Sequence, residues 1–316
     1  MTSPSPSPSA SPFLGSVPYC YSNSLAMVLG ADAPPPSAIE VLTGSPFGAQ
    51  VVEGALPYFD PLGWEPDLGL DQAVGLLGWS CRKVGGGEET EAVARLREAC
   101  GRGPVLVGPV DIGLLLHQPW AGGTAIGGDH WVVALDVDDE RVLFHDPDGF
   151  PYATLPVDAF VAAWRAEKVE CAGPFTMRSD FERVRDVDGT DALRQSLPVA
   201  RRWLAEHRGG PALRPGALGG DDAVERLAEW VEGGVDDRTH GHLAGFAVRL
   251  GARRLSDASY WLAQVGADRA AEVAHRQARL LGGVQYGLVT GDRRAVASGL
   301  RQLVGTYGEL TAALDG

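Results

Sequence analysis

Two apolar segments separated by three acidic residues constrain the fold of this chain most strongly. Residues 131–137 read WVVALDV, residues 138–140 read DDE, and residues 142–144 read VLF. Branched and aromatic residues favour strands, and a short polar turn between two such segments is typical of a β-hairpin. We therefore predict an antiparallel hairpin here. Its pairing brings the start of the first strand close to the end of the second.

His130 and Asp146 lie at that open end of the hairpin. If the turn centres on Asp139, residue 132 pairs with residue 146, and His130 is one diagonal position from Asp146 on the same face. A carboxylate at that distance can orient an imidazole and stabilise its cation. The alternative is an edge-strand histidine beside a turn aspartate with no chemical role.

Cys20 begins a segment that is predicted to be helical. Residues 25–29 are apolar, and Gly30 can end the helix in a left-handed conformation. A cysteine in the first turn of a helix and beside an imidazole is stabilised as a thiolate, which is the nucleophilic form. Core packing is the alternative for a lone cysteine. Taken in order, the cysteine helix, the histidine strand and the aspartate turn predict a Cys20–His130–Asp146 active site.

The same segments resemble a known family. CYSNSLAMVL at 20–29, DHWVVALDV at 129–137 and HDP at 145–147 are similar to segments of C39-like enzymes and, more narrowly, of the butirosin biosynthesis protein H family. The resemblance is concentrated in residues 15–30 and 104–150. It implies an α+β chain in which an N-terminal domain with a papain-like cysteine-protease fold precedes an all-α helical domain.

The resemblance also implies an activity, that of a cysteine-dependent acyltransferase of natural-product and antibiotic biosynthesis. Such an enzyme takes an acyl or aminoacyl group from an acyl or peptidyl carrier protein and passes it to a small amine-bearing acceptor. Cys20 would be acylated, His130 would deprotonate the thiol and then the amine, and Asp146 would orient His130. A cysteine peptidase or amidohydrolase with water as the acceptor is the alternative. A non-catalytic binding protein is the third hypothesis.

Three further residues are candidates for substrate binding. Papain-like enzymes usually carry a glutamine before the nucleophile, but residues 13–19 contain neither Gln nor Asn. We expect the backbone N–H of Cys20 to donate to the oxyanion, with the Tyr19 hydroxyl as a second donor. Asp111 is expected either to contact a substrate amine or to cap a strand end. His117 is expected to line the site, ahead of a glycine-rich loop that would act as a lid.

Composition divides the chain into three parts. Residues 1–14 contain SPSPSPS and are predicted to be a disordered leader. Residues 15–180 are predicted to form the catalytic domain, with a partly ordered Pro- and Gly-rich excursion at 31–66. Residues 181–316 show repeated amphipathic patterns and are predicted to form the helical domain. The helices predicted there are 191–207, 222–231, 241–250, 258–265, 269–281 and 293–314.

Charge excludes one class of partner and favours another. Residues 1–180 carry 9 basic and 23 acidic side chains, and residues 181–316 carry 18 of each. Nucleic-acid binding requires a basic surface, so the acidic first half argues against it. The same excess favours a cationic or amine-bearing substrate, or serves only solubility. The arginine pairs at 201–202, 253–254 and 293–294 are expected either to dock an acidic carrier protein or to be solvated.

The remaining predictions concern location and metals. No stretch approaches the roughly 20 apolar residues of a membrane span. Because the first residues lack the pattern of a secretory signal, we expect a cytoplasmic protein with reduced thiols. We expect no cofactor and no metal. The four cysteines do not have the paired spacing of metal ligands, and His240 and His242 lack a third ligand at suitable spacing. His145 is expected to be structural, because on a strand it points away from the face of Asp146.

Overall fold

The computed structural model describes residues 14–15, 18–205 and 216–315. Its helices are α1 (Cys20–Leu29), α2 (Pro36–Leu42), α3 (Pro66–Leu76), α4 (Glu89–Cys100), α5 (Val157–Trp164), α6 (Gly189–Ala205), α7 (Gly220–Gly233), α8 (Asp237–His242), α9 (Val248–Gln264), α10 (Asp268–Gly283), α11 (Gln285–Thr290), α12 (Arg293–Arg301) and α13 (Thr306–Asp315). Its strands are β1 (Gln50–Val51), β2 (Trp79–Val84), β3 (Val105–Asp111), β4 (Asp129–Val137), β5 (Arg141–Asp146), β6 (Phe150–Pro156), β7 (Met177–Arg183) and β8 (Leu218–Gly219). Residues 1–13 of the predicted leader lie outside the described residues.

The contacts within the chain group it into two units. The first unit contains the described residues of 1–36 and 77–186, and the second contains those of 37–76 and 187–316. The first holds an antiparallel sheet with helices, whereas the second is mainly helical. The chain is therefore an α+β protein with a helical C-terminal region, as the sequence predicts.

One sheet of the first unit has the strand order β2-β7-β3-β4-β5-β6, and every neighbouring pair in it is antiparallel. β4 and β5 form the predicted hairpin, in which Val133 pairs with His145 and Ala134 with Phe144. Those pairs have the register that was predicted for the open end. Towards the turn the register shifts, so that Asp136 pairs with Leu143. The sequence pattern does not predict β6 and β7.

The hairpin is apolar without alternation because β4 is buried on both faces. Val132 and Ala134 belong to a core cluster that contains residues of α4 and α5, while Val133 and Leu135 pack with Met27 of α1. Since successive strand residues point to opposite faces, the sheet lies between α1 on one side and α4 with α5 on the other. Each aliphatic side chain buried in this way stabilises the fold by about 1.5–3 kcal/mol. This packing fixes α1 against the sheet.

The second unit includes a segment that the sequence pattern assigns to the catalytic domain. Residues 37–76 were predicted within the catalytic domain, most of them as a partly ordered excursion, but they form α2, β1 and α3 and group with the helical region. The physical reason is a buried ion cluster: Arg254 of α9 donates to Glu40 at 2.8 Å and to Asp60 at 3.1 Å. The guanidinium also lies over the ring of Trp64, 5.3 Å from its centroid. Arg254 is 3% exposed, so it is not part of a basic docking surface.

The helices of the C-terminal region differ from the predicted ones in their breaks. A π-helical turn, Leu243–Ala247, leads into α9, which continues through the gap predicted between 250 and 258. The helix predicted over 293–314 is divided into α12 and α13 around Gly305, whose φ is +86°. Asp221 stabilises this break, because its carboxylate accepts hydrogen bonds from the backbone of Gly305, Tyr307 and Gly308. Within the described ranges no helix is both long and apolar enough to cross a membrane.

Candidate active site

Cys20 is the first residue of α1, and Tyr19 precedes it as the N-cap. The first turn of α1 contains no acidic residue, so the positive end of the helix dipole meets no carboxylate from its own turn. The carbonyl of Tyr19 accepts hydrogen bonds from the backbone and side-chain amides of Asn23, at 2.9 and 2.7 Å. The backbone N–H of Cys20 donates to the carbonyl of Pro18 at 3.1 Å. The donor that we predicted for the oxyanion is therefore already engaged in the resting protein.

The structure brings Cys20, His130 and Asp146 together in one hydrogen-bonded series. The side chains of Cys20 and His130 are hydrogen-bonded to each other. Nε2 of His130 lies 2.7 Å from Oδ1 of Asp146, so Nδ1 is the ring nitrogen left to exchange a proton with the thiol. His130 and Asp146 are buried, whereas Cys20 is half-buried. A cysteine beside an oriented imidazole is the arrangement that nucleophilic catalysis requires.

The charges of these groups depend on one another. Burial lowers the pKa of His130, but the attraction of the Asp146 carboxylate and their hydrogen bond outweigh it and raise that pKa well above its ordinary value. Burial opposes ionisation of Asp146, yet His130 and the surrounding donors hold the pKa of Asp146 far below its usual range. Asp146 is therefore ionised, and its carboxylate stabilises the protonated form of His130.

The pKa of the Cys20 thiol shifts in the opposite direction from the one that its place at the helix start predicts. Burial raises the pKa of Cys20, and the carboxylates of Asp129 and Asp148 raise it further, while His130 acts in the opposite direction without overcoming them. The helix start and the imidazole both favour the thiolate, but neither reflects the desolvation of the sulfur. A buried sulfur loses the hydration that would stabilise its anion. The thiolate therefore forms when its proton passes to His130, rather than standing free at neutral pH.

Asp146 is held by more partners than the sequence predicts. Oδ1 accepts hydrogen bonds from His130 and from the backbone N–H of Asp148, the latter at 2.9 Å. Oδ2 lies 2.7 Å from Nε2 of His117 and 2.6 Å from Nε2 of Gln118. His117 thus contacts the site through Asp146, on the side away from Cys20. The sequence pattern does not single out Gln118, because one polar residue in a loop has no periodicity. Its position beside His117 is the available signal.

Asp111 is an anchor for the backbone. Its carboxylate accepts hydrogen bonds from the N–H groups of Gly113 at 3.0 Å, Ile126 at 3.1 Å and Gly127 at 2.8 Å, and its side chain is fully buried. Of the two roles expected for Asp111, this geometry favours the cap over a contact with a substrate amine. Two of these bonds tie the C-terminal end of the glycine-rich loop at 121–128, which is predicted to act as a lid.

The structure places two other predicted residues as follows. Tyr19 is fully buried, so a substrate cannot reach its hydroxyl in the resting structure. His145 is also fully buried, and its Nδ1 accepts a hydrogen bond from the backbone N–H of Tyr152 at 3.0 Å. This contact holds Tyr152 in a left-handed conformation with φ +54°. His145 thus has the structural surroundings that its position on the strand predicts.

One group of described residues has an arrangement that could hold a metal ion. His130, Asp146 and Asp148 can each present a ligand atom within 4.8 Å of the others. In the structure, however, Nε2 of His130 and both oxygens of Asp146 are engaged in hydrogen bonds. A metal would have to replace those bonds, so the present geometry favours proton transfer. His240 and His242 bond the carbonyls of Leu288 and Pro57, each at 2.9 Å.

Comparison with known proteins finds two similarities. Residues 214–315 match the family model described as YobF C-terminal domain. The chain is also 27% identical over 249 residues to the uncharacterized protein YobF of Bacillus subtilis (strain 168), and this alignment covers 78% of the chain and 79% of that protein. The family match lies within the second unit. The longer alignment covers more residues than that unit alone contributes, so the similarity to YobF includes part of the first unit.

Proposed function

We propose that this protein is a cysteine-dependent acyltransferase that forms amides through an acyl-Cys20 intermediate, and that its first unit has a papain-like fold. The observation that carries the proposal is the hydrogen-bonded series from Cys20 through His130 to Asp146 at the start of α1. The acyl donor is a carrier-protein thioester, as the resemblance of residues 20–29 and 129–137 implies. We place the reaction in the cytoplasm, where thiols stay reduced.

The chemistry follows from the order of the three groups. The Cys20 proton passes to neutral His130, and the resulting imidazolium is stabilised by Asp146. The thiolate attacks the carbonyl carbon of the donor thioester, the bond from that carbon to the carrier sulfur breaks, and the leaving sulfur takes the proton from His130. The amine then attacks acyl-Cys20, His130 removes a proton from it, and the Cys20 sulfur leaves as the amide forms. The last proton returns to Cys20.

An amine acceptor is favoured by the charge around the thiol. Asp129 and Asp148 both act on Cys20 to raise its pKa, so two carboxylates lie near the thiol that an acceptor must approach. Carboxylates in that place attract cationic amines and repel anionic acceptors. Hydrolysis with the same residues is the second candidate, because water needs no recognition by charge.

The test is intact-mass analysis of the protein after incubation with acyl thioesters. The wild-type chain should gain the mass of one acyl group, and peptide mapping should locate it on Cys20. Cys20→Ala should gain nothing, and Cys81→Ala, a matched removal of another half-buried thiol, should behave as wild type. Acylation of Cys20→Ala to the same extent would refute the proposal.

A second step separates transfer from hydrolysis. Adding a panel of small amines to the isolated acyl-enzyme should release the amide faster than water releases the free acid. Release of free acid at a rate that no amine changes would favour the hydrolase.

A further inference from the structure

His117 and Gln118 are adjacent in sequence and bind the same carboxylate oxygen. Nε2 of His117 and Nε2 of Gln118 lie 2.7 and 2.6 Å from Oδ2 of Asp146, while Oδ1 faces His130. All of these side chains are at least nine-tenths buried. Two donors are therefore placed on the oxygen that does not contact the imidazole.

The local structure keeps these two donors in place. Gln118 begins a tight turn in which its N–H donates to the carbonyl of Leu115 at 2.9 Å and its own carbonyl accepts from Ala121 at 3.1 Å. The His117 ring packs edge-on against Phe144 and Phe150, with centroids 4.9 and 5.2 Å away. Neither ring rotation nor loop movement is needed for the contact with Asp146.

The remaining polar atoms of the two side chains indicate what they serve. Within the part of the chain that the structure describes, Nδ1 of His117 and Oε1 of Gln118 are buried and have no hydrogen-bond partner. A buried polar group without a partner is destabilising. Both side chains thus leave one polar atom unsatisfied while they direct the other at Asp146. Residues selected only for stability would have both atoms paired, or would be apolar.

We propose that His117 and Gln118 are positioning residues that fix the Asp146 carboxylate, and that through it they set the orientation and basicity of His130. Without them, Oδ2 would be a buried anionic oxygen with no donor, and the carboxylate would turn towards other donors and away from His130. The inference rests on the proposed function only for its catalytic consequence. The effect on His130 exists in the resting protein and is measurable without a substrate.

The test compares variants that remove the donors with one that keeps a donor. His117→Phe retains the aromatic packing but loses the hydrogen bond to Asp146. Gln118→Leu keeps a side chain of similar size and also loses its hydrogen bond to Asp146. His117→Gln keeps a donor at the place of Nε2. Nitrogen NMR should show that the titration midpoint of His130 falls towards the ordinary value of about 6.5 in His117→Phe and Gln118→Leu. His117→Gln should keep it raised. Acylation of Cys20 should slow by about 10–100-fold in the double variant.

A double-mutant cycle with Asp146→Asn shows whether the two residues act through Asp146. If they do, His117→Phe should slow acylation in the wild-type background and should add little in Asp146→Asn. Equal losses in both backgrounds, or folded variants with unchanged His130 titration, would overturn the inference. If the double variant fails to fold, the contrast between His117→Phe and His117→Gln decides the matter. A shifted His130 midpoint with no acylation of wild-type Cys20 would refute the proposed function and leave the positioning role intact.

Discussion

Each unit of the molecule buries an ionic cluster, and the two clusters differ in the cation that balances the carboxylate charge. In the first unit Asp146 faces His130, and the side chains of His117 and Gln118 contact its other oxygen. In the second unit Glu40 and Asp60 share Arg254. An arginine keeps its proton under all ordinary conditions, whereas an imidazole gains and loses one near neutral pH. The first cluster can therefore take part in proton transfer, and the second can only hold the fold.

The largest effect should come from Asp146→Asn. The amide cannot stabilise the His130 imidazolium, so acylation should fall by about 10⁴-fold while the protein remains folded. Stopped-flow acylation with a small synthetic thioester measures the rate, and urea unfolding monitors the fold. A rate within about tenfold of wild type would show that the carboxylate does not support the imidazole.

In the second unit, loss of the cation should lower the stability of the fold and not a reaction rate. Arg254→Met leaves Glu40 and Asp60 buried without a counter-charge, which should lower the free energy of unfolding by about 3–5 kcal/mol. The neighbouring Arg253→Met is the matched control. Arg253 is partly exposed and lies 3.7 Å from Asp257, so its loss should change that free energy by less than about 1 kcal/mol. Equal effects of the two variants in urea titrations would contradict the contrast between a buried and a surface arginine.

The pH dependence of Cys20 alkylation tests which groups of the first unit act on the thiol. Burial and the carboxylates of Asp129 and Asp148 raise the pKa of Cys20, so its alkylation by iodoacetamide should increase with pH up to or beyond the ordinary thiol value of about 8.5. Asp129→Asn and Asp148→Asn should each move the midpoint down and speed alkylation at pH 7. An unchanged midpoint in both variants would mean that these carboxylates do not act on the thiol.

The smallest effect expected is on stability above neutral pH. The pKa of folded His130 is raised above the unfolded value of about 6.5, so its contribution to stability is fully present below that pH. It is lost as the pH rises through the folded pKa. Urea midpoints of the wild type should therefore decline over that alkaline range more than those of Asp146→Asn. Parallel declines in the two proteins would show that the pair does not contribute.

The sequence predicts the parts of the site that depend on local pattern. The helix at Cys20, the hairpin, and the register at its open end follow from residue type and period alone, and that register is what brings His130 to Asp146. The donors of His117 and Gln118 depend on the path of an irregular loop, for which period gives no guide. The raised pKa of Cys20 depends on burial, which the helix start does not reveal.

The lack of a local pattern also explains why residues 37–76 belong to the second unit and not to the predicted catalytic domain. The Pro- and Gly-rich composition of residues 31–66 indicates loops, and loops were expected to be partly ordered. In the structure Glu40 and Asp60 pair with Arg254, which is 214 and 194 residues away in sequence. Such pairing leaves no local pattern. For the same reason the sequence does not distinguish the buried Arg254 from its partly exposed neighbour Arg253.

A pulse-chase measurement on acyl-Cys20 tests the central proposal most directly. The protein is loaded with an isotopically labelled acyl thioester, freed of excess donor, and mixed with an amine acceptor while the mass of the Cys20 peptide is followed. We predict that label leaves Cys20 and enters the amide at a rate at least equal to steady-state turnover. Label that stays on Cys20 while amide forms from fresh donor, or that never reaches Cys20, would contradict the account.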